Sequence, residues 1–357
     1  MRILQIIDSL EAGGAERMAV NYANALVQHI EFSGLVVTRK EGSLLQQVDS
    51  KVSYLFLNKK STFDLDSVFR LKSFVKKYKI EIVHAHGTSF FTAVLLKLTY
   101  PKIKIIWHEH YGARANQSRK DNVILFFSSV FFSSVFVVNH QLEAWVKNNL
   151  LVKKVSYIPN FATYDAKTPK TTFLRGTDEK RMVCLANLKV PKNHIALLIA
   201  FKELKLSELG WTLHLIGKDD KDSYSNRLKE FISTNNLEGT IFIYGSQNDI
   251  QHILSQATIG LLSSTDEGFP VALLEYGLAQ LPVVSTNVGY CSLIVKNDFS
   301  GLLFDPLNNL QIQAQLQKLI LDQPLRNRFG LHLQELVLEN YSEDKVIRLL
   351  LAKYNTL

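Results

Sequence analysis

Short apolar runs alternate with longer segments of helical spacing along the whole chain. In the first half the runs are Ile3–Ile7, Gly34–Thr38, Ile80–His84, Lys104–Trp107 and Val135–Val138. In the second half they are Arg181–Ala186, Thr212–Gly217, Thr240–Tyr244, Ile259–Leu262 and Pro282–Ser285. Brief apolar runs separated by amphipathic stretches predict parallel strands with crossover helices. No unit of repeat length recurs. Between Asn160 and Lys180 the periodicity is interrupted by Thr168, Pro169, Thr171, Thr172 and Gly176, which marks a boundary. The prediction is an α/β chain of two doubly wound, Rossmann-like parallel-sheet domains facing across a cleft, with residues 1–165 forming the first and 166–340 the second. The last segment, Ser342 to Tyr354, has helical apolar spacing (Val346, Leu349, Leu350, Tyr354) that suits either domain.

One stretch carries more chemistry than the rest. Ser263-Ser264-Thr265-Asp266-Glu267-Gly268-Phe269-Pro270-Val271-Ala272-Leu273-Leu274-Glu275 follows the apolar run Ile259 to Leu262. In one continuous helix the two glutamates would sit about 80° apart. Gly268 and Pro270 argue against that, and Pro270 suits a helix start, where its missing N–H costs little. Glu267 is therefore expected on a loop at a strand's C-terminal end, and Glu275 one to two turns into a helix. Ligands of open α/β sheets bind at that edge, and two carboxylates there accept hydrogen bonds from hydroxyls such as those of a sugar or ribose.

Composition narrows the class. The 357 residues are 46% hydrophobic, enough for two cores. Cys184 and Cys291 form no disulfide framework and read as core residues of a reducing compartment. The first apolar run, Met1 to Asp8, is too short for a signal peptide and reads as a buried strand; a cytoplasmic location follows as an expectation. Residues 1–165 hold 21 Lys+Arg against 13 Asp+Glu, so the whole excess of +8 lies in the first half. Ordinary surface charge explains this equally well as a basic face for an anionic lipid or acceptor at the inner membrane surface. Arg70, Lys72, Lys76, Lys77 and Lys79 form the densest patch, on an expected helix; no series of aromatic stacking positions is read there, which disfavours nucleic acid. Val123 to Val138 is the most apolar segment, and 16 residues with four serines fall short of a membrane span. It is expected as a buried helix to about Phe132 and a buried strand from Val135, with a shallow membrane-contacting helix as the alternative.

Three further clusters sit where strands are expected to end. Gly13-Gly14-Ala15-Glu16-Arg17 opens a helix, where glycines admit a ligand to the backbone and free N–H groups face an anion. It is not the dinucleotide fingerprint, so a tight turn is as good a reading and a nicotinamide oxidoreductase is disfavoured. His84, His86, His108 and His110 cluster at two strand ends. His108 and His110 are read as pointing to opposite faces of an extended segment, with no third ligand at a usual spacing, so no metal is expected; an imidazole there can meet a sugar hydroxyl instead. Asn187-Leu188-Lys189-Val190-Pro191-Lys192-Asn193-His194 leads into a helix, where Lys189 and Lys192 suit a diphosphate and read equally well as solvated surface.

These residues together resemble the retaining glycosyltransferases of family 4, which have the GT-B fold. The resemblance rests on Gly13-Gly14-Ala15-Glu16, Ile82-Val83-His84-Ala85-His86, Glu109-His110, Ile158-Pro159-Asn160, Lys192-Asn193-His194, the Glu267–Glu275 block and Gly301-Leu302-Leu303, in the family's order and over nearly the full length. The resemblance implies a nucleotide-sugar donor held by Gly13, Gly14, Asn187, Lys189, Lys192, Glu267, Gly268, Phe269, Pro270, Val271 and Glu275. Glu275 would bind the ribose, Glu267 with the Gly268 and Phe269 backbone the hexose, and Lys192 with the Gly14 backbone the diphosphate. His110, Glu267 and Lys192 would be catalytic, His110 lying beside the transferred sugar and His108 matching less well. Asn187 stands where the family often has Arg, and Lys189 is a candidate for the missing charge. The resemblance also implies metal-independent transfer with retention of configuration, a glycan or lipid-linked acceptor on the first domain, a role in cell-surface polysaccharide synthesis, and a C-terminal helix, about 341–357, crossing back to the first domain. The base, UDP, GDP or ADP, stays open. A sugar-nucleotide epimerase of the same fold and a binding protein with a decayed site are the alternatives.

Overall fold

The computed structural model describes residues 1–164 and 168–357, so the predicted boundary between residues 165 and 166 lies outside the described residues. The chain forms two compact units, Met1–Phe161 with Glu343–Leu357, and Ala162–Ser342.

The first unit is built on β1 (Arg2–Ser9), β2 (Phe32–Lys40), β3 (Ser53–Phe56), β4 (Ile82–His86), β5 (Lys104–Glu109), β6 (Phe132–Val137) and β7 (Val155–Tyr157). They lie in the order β3-β2-β1-β4-β5-β6-β7, all parallel. The order reverses between β1 and β4. Crossover helices on both faces bury the sheet, and this is why β1 reads as a nearly unbroken apolar run. Beside β1 and β2, Ala19, Val20 and Ala23 of the helix Gly14–Leu26 pack on Ile7, Leu35 and Val37. Each large aliphatic side chain so buried contributes roughly 1.5–3 kcal/mol.

The second unit is built on β8 (Arg181–Leu185), β9 (Thr212–Ile216), β10 (Ile241–Gly245), β11 (Ile259–Leu262), β12 (Val283–Thr286) and β13 (Leu302–Phe304). Their order is β10-β9-β8-β11-β12-β13, again parallel. Here the reversal lies between β8 and β11. The Met182, Cys184, Leu213, Leu215, Ile259 and Leu261 side chains form one core with the helices His194–Glu203 and Asn309–Leu321. Both cysteines are buried, and burial pushes each thiol up to about 12.

The expectation for the segment after Asn122 needs correction in both length and burial. The segment after Asn122 is helical only over Val123–Ser128, passes through one 3₁₀ turn at Ser129–Phe131 and enters β6 already at Phe132. The helix is not buried: Ile124 and Phe127 are each 65% exposed, while the β6 residues Val135–Val137 are enclosed. The C-terminal helix, Glu343–Asn355, packs on the first unit through Val346, Ile347, Leu350 and Tyr354. Among the described residues no helix is long and apolar enough to cross a membrane.

Candidate active site

In the second unit the candidate residues gather beyond the C-terminal ends of β8 and β11, at the point where strand order reverses and where open α/β sheets take ligands. Glu267 lies on the loop after β11, and its carboxylate meets Lys192 Nζ at 2.6 Å; the two side chains are 8% and 22% exposed. Ser264 Oγ donates to the same Glu267 Oε1 at 2.6 Å. The loops bearing these groups are stitched together by backbone contacts. Ser263 Oγ donates to the Lys192 carbonyl at 2.8 Å, and Thr265 N–H donates to the Pro191 carbonyl at 2.8 Å. Asp266, next along, has its carboxyl raised by burial and then by the Glu267 charge, with Lys192 opposing.

Pro270 precedes the helix Val271–Leu278, which carries Glu275 in its second turn at a half-buried position. What fixes that helix on the sheet is Tyr276. Its hydroxyl accepts from Leu185 N–H at 2.8 Å and donates to the Leu261 carbonyl at 3.0 Å, bridging β8 and β11. Gly260 makes room, since a Cβ there would stand 2.8 Å from the Tyr276 ring. The Glu267 turn is backed by Gly289 (φ +53), where a Cβ would come within 1.8 Å of the Glu267 carbonyl oxygen. Phe269 is 5% exposed and packs against Tyr290 and Tyr341. Ser264, Tyr276 and Gly289 were not singled out by sequence; only the serine, lying within the informative block, carried a signal.

The remaining candidates of this unit are less concentrated. Lys189 is exposed on the turn before Lys192. Asn187 Oδ1 accepts from the Lys218 N–H at 2.9 Å and so ties the loop after β8 to the loop after β9. Asn193 adopts the left-handed conformation (φ 50, ψ 40) ahead of the helix His194–Glu203, and its side chain donates to the Pro306 carbonyl.

In the first unit Gly13 is extended and the helix Gly14–Leu26 starts immediately after it. Gly14 is exposed and a Cβ there would meet nothing, whereas one at Gly13 would collide with the Glu16 carboxylate. The four histidines are placed differently from expectation. Residues two apart on a strand share a face, so His84 and His86 project on the same side, as do His108 and His110. Their strands are neighbours in register, His86 beside His108. The rings stack, His108 on His110 at 4.1 Å and His84 on His86 at 4.6 Å between centroids. Tyr22 covers His84, His86 and His108. His108 is fully buried, whereas His110 is partly exposed beyond the strand end.

A third imidazole thus does converge, and His84, His86 and His108 bring one nitrogen each within 4.8 Å of one another. Five of the six nitrogens of these rings are engaged. His84 Nδ1 meets the Tyr354 hydroxyl at 2.6 Å and His84 Nε2 meets His108 Nδ1 at 3.1 Å. His86 Nδ1 meets His110 Nε2 at 3.0 Å and His86 Nε2 meets Gln5 Oε1 at 2.8 Å. Of the three, His108 Nε2 alone has no hydrogen-bond partner. These contacts join the rings, Gln5 and Tyr354 into one buried hydrogen-bonded stripe. Burial pushes all three pKa values well below the ordinary range, with neighbouring histidines adding to the effect. His110 is pushed down to about 3 by burial, the Asn160 side chain opposing. The adjoining Glu109 is fully buried; burial raises its pKa and the Arg114 charge opposes. The pair holds the turn after β5, with Tyr111 N–H donating to Glu109 Oε1 at 2.8 Å.

The two parallel-sheet units, each with its polar groups at the sheet's C-terminal edge, define a sugar-nucleotide-dependent transferase of the GT-B class. Residues 12–164 match the family described as Glycosyltransferase Family 4 and residues 168–332 match Glycosyl transferases group 1. The chain belongs to these family-4 glycosyltransferases. It is 23% identical over 310 residues to the UDP-Gal:alpha-D-GlcNAc-diphosphoundecaprenol alpha-1,3-galactosyltransferase of Escherichia coli, across 80% of this chain and 79% of that protein. It is 22% identical over 311 residues to the N,N'-diacetylbacillosaminyl-diphospho-undecaprenol alpha-1,3-N-acetylgalactosaminyltransferase of Campylobacter jejuni, across 82% and 81% of the two chains. Its fold is similar to that of Anabaena HepE, solved in complex with UDP and glucose, at a TM-score of 0.82 and 16% identity over 100% of each chain. Both named enzymes are transferases, and the epimerase alternative falls away.

Proposed function

We propose that this glycosyltransferase moves a hexose-type sugar from a UDP-sugar to a lipid-linked glycan acceptor, without a metal and with retention of configuration. The Lys192–Glu267 pair, at the strand-order reversal of the second unit and followed by the helix that carries Glu275, supports this reading. It offers one cation for a diphosphate and two carboxylates for hydroxyls, the complement of a nucleotide sugar. In this reading Glu275 accepts from the ribose hydroxyls, Glu267 and the Gly268 and Phe269 backbone hold the hexose, Lys192 and Lys189 face the diphosphate, and His110 lies beside the transferred sugar. The Escherichia coli relative takes UDP-Gal as donor, and both named relatives act on diphosphoundecaprenol-linked sugars, which supports the choice of UDP and of a lipid-linked acceptor.

In the reaction the bond between the sugar's anomeric carbon and the diphosphate oxygen breaks, and UDP leaves with the electron pair. The acceptor hydroxyl oxygen forms the new bond on the same face, and its proton passes to the departing phosphate oxygen. The lysines stabilise the charge that grows on that phosphate, a task for which preorganised cations are most effective away from bulk water.

The acceptor's lipid suggests where the enzyme works. The first unit holds 24 Lys+Arg against 14 Asp+Glu, a net of +10, and the exposed Ile124 and Phe127 lie on the helix Val123–Ser128. The helix Phe90–Thr99 packs against that helix and against the basic helix Leu65–Lys77. An apolar patch beside lysines suits shallow contact with an anionic bilayer. The experiment is transfer from UDP-galactose, UDP-glucose and UDP-N-acetylhexosamines to undecaprenyl-diphosphate-linked sugars, in excess EDTA. Product of unchanged anomeric configuration from one of these donors is expected. Turnover only with GDP- or ADP-sugars, inversion, or activity that EDTA abolishes and Mn²⁺ restores would each overturn the corresponding part.

A further inference from the structure

The buried polar stripe of the first unit has no role in the reading above, yet it ends on His110. Gln5 interrupts the apolar strand β1 and is fully buried beside His84. Its Oε1 stands 2.8 Å from His86 Nε2, and His86 Nδ1 stands 3.0 Å from His110 Nε2. A carbonyl oxygen only accepts, so His86 Nε2 must carry a hydrogen. His86 is fully buried and His110 partly so, and burial lowers the pKa of both, so each ring is neutral and owns one N–H. The His86 proton being spent on Gln5, Nδ1 of His86 is a lone pair. The short contact to His110 is then a hydrogen bond only if His110 donates through Nε2.

We infer that Gln5, acting through His86, is a positioning residue that places the single imidazole proton of His110 on Nε2 and leaves Nδ1 as a bare acceptor for a hydroxyl of the transferred sugar. The last clause rests on the reading of His110 given above; the tautomer itself does not. Ring contacts reinforce the arrangement, since His110 stacks on His108 at 4.1 Å and on His86 at 5.2 Å, which fixes its plane. A polar glutamine inside β1 is otherwise costly, because a buried amide destabilises unless its groups find partners. Leaving a polar residue there is explained if it sets the protonation pattern two residues away.

The test is a long-range proton–nitrogen correlation spectrum of the full chain carrying labelled histidine, with His110 assigned by loss of its signals in His110→Gln. A protonated Nε2 and a bare Nδ1 at His110 are expected in the wild type. In Gln5→Met, which keeps the volume and removes the acceptor, the His110 signals should move to a mixture of tautomers. Gln5→Glu restores an acceptor oxygen and should restore the single form if the methionine variant folds poorly. His86→Asn keeps an acceptor near the position of Nδ1 and should retain Nε2–H even without Gln5, whereas His86→Leu should not. With the donor identified by the transfer assay, kcat should fall up to about a hundredfold in Gln5→Met and His86→Leu, with donor KM little changed, and should recover in His86→Asn. A wild-type proton on Nδ1, directed at the Asn160 side chain, overturns the inference, as does an unchanged His110 spectrum in Gln5→Met. Full transfer by His110→Ala would instead defeat the reading of His110 beside the sugar while leaving the tautomer assignment standing.

Discussion

Acid should loosen the first unit in a pH window set by its histidines. His84, His86 and His108 are fully buried, and burial holds their pKa values well below the ordinary one. In the unfolded chain each would titrate near about 6.5. Below that pH the unfolded state binds protons that the native state refuses, so stability falls as pH falls. The stabilisation is intact above about 6.5 and is lost progressively on the way down. From pH 6 to pH 5 each histidine costs about 1.2 kcal/mol by this linkage, and the three together cost about 4 kcal/mol, a large share of a domain's stability. Carboxylates held low in the fold, such as Asp219 at about 2, lose their contribution mainly below this window. Urea unfolding followed by tryptophan fluorescence at the two pH values measures the effect. Trp107 and Trp145 report on the first unit, and Trp211→Phe removes the reporter of the second, where His194 and His214 are also lowered, each to about 4. A midpoint that stays put between pH 6 and pH 5 would refute the reasoning, because it would mean that the stripe accepts protons in the native state.

Three other outcomes follow from the geometry. Glu275→Ala should weaken UDP binding by roughly 1.5–3 kcal/mol, the worth of a hydrogen bond to a charged group; unchanged affinity by calorimetry in a folded variant would remove Glu275 from the ribose role. Gly289→Ala should displace the Glu267 turn, because its Cβ would come within 1.8 Å of the Glu267 carbonyl oxygen and its backbone is left-handed; a loss of about 1–3 kcal/mol in stability together with weaker donor binding is expected, and a crystal structure with the turn unmoved would contradict it. Replacing Lys72, Lys76 and Lys77 with Glu, or Phe127 with Asp, should reduce sedimentation with anionic liposomes, the lysine effect fading at high salt at about 1 kcal/mol per charge near the surface; equal sedimentation of variants and wild type would show a face that meets only water.

The sequence by itself determined the fold class. Strands buried on both faces of a parallel sheet are mostly apolar along their length, so β1, β8 and β11 stand out without any knowledge of their partners. It also exposed the Glu267–Glu275 block, since Gly268 and Pro270 force a loop and a helix start between the two carboxylates whatever surrounds them. What it could not carry were features fixed by neighbours distant in the chain. The strands Ser53–Phe56, Val155–Tyr157 and Leu302–Phe304 escaped because they are edge strands, short and paired with one neighbour only, and show no clear period. His108 and His110 were misjudged because a two-residue step keeps the same face; once β4 lies in register beside β5, four imidazoles form one stack. Gln5 looks like an exception in an apolar run until His86 is placed against it. Tyr276, Gly260 and Gly289 matter only through atoms more than ten residues away along the chain. The C-terminal helix fits either domain by its spacing alone; the hydroxyl of Tyr354 against His84, 270 residues apart, assigns it to the first. Local periodicity and turn chemistry are written in neighbouring residues, whereas hydrogen-bond partnership and close backbone approach exist only after the chain has closed upon itself.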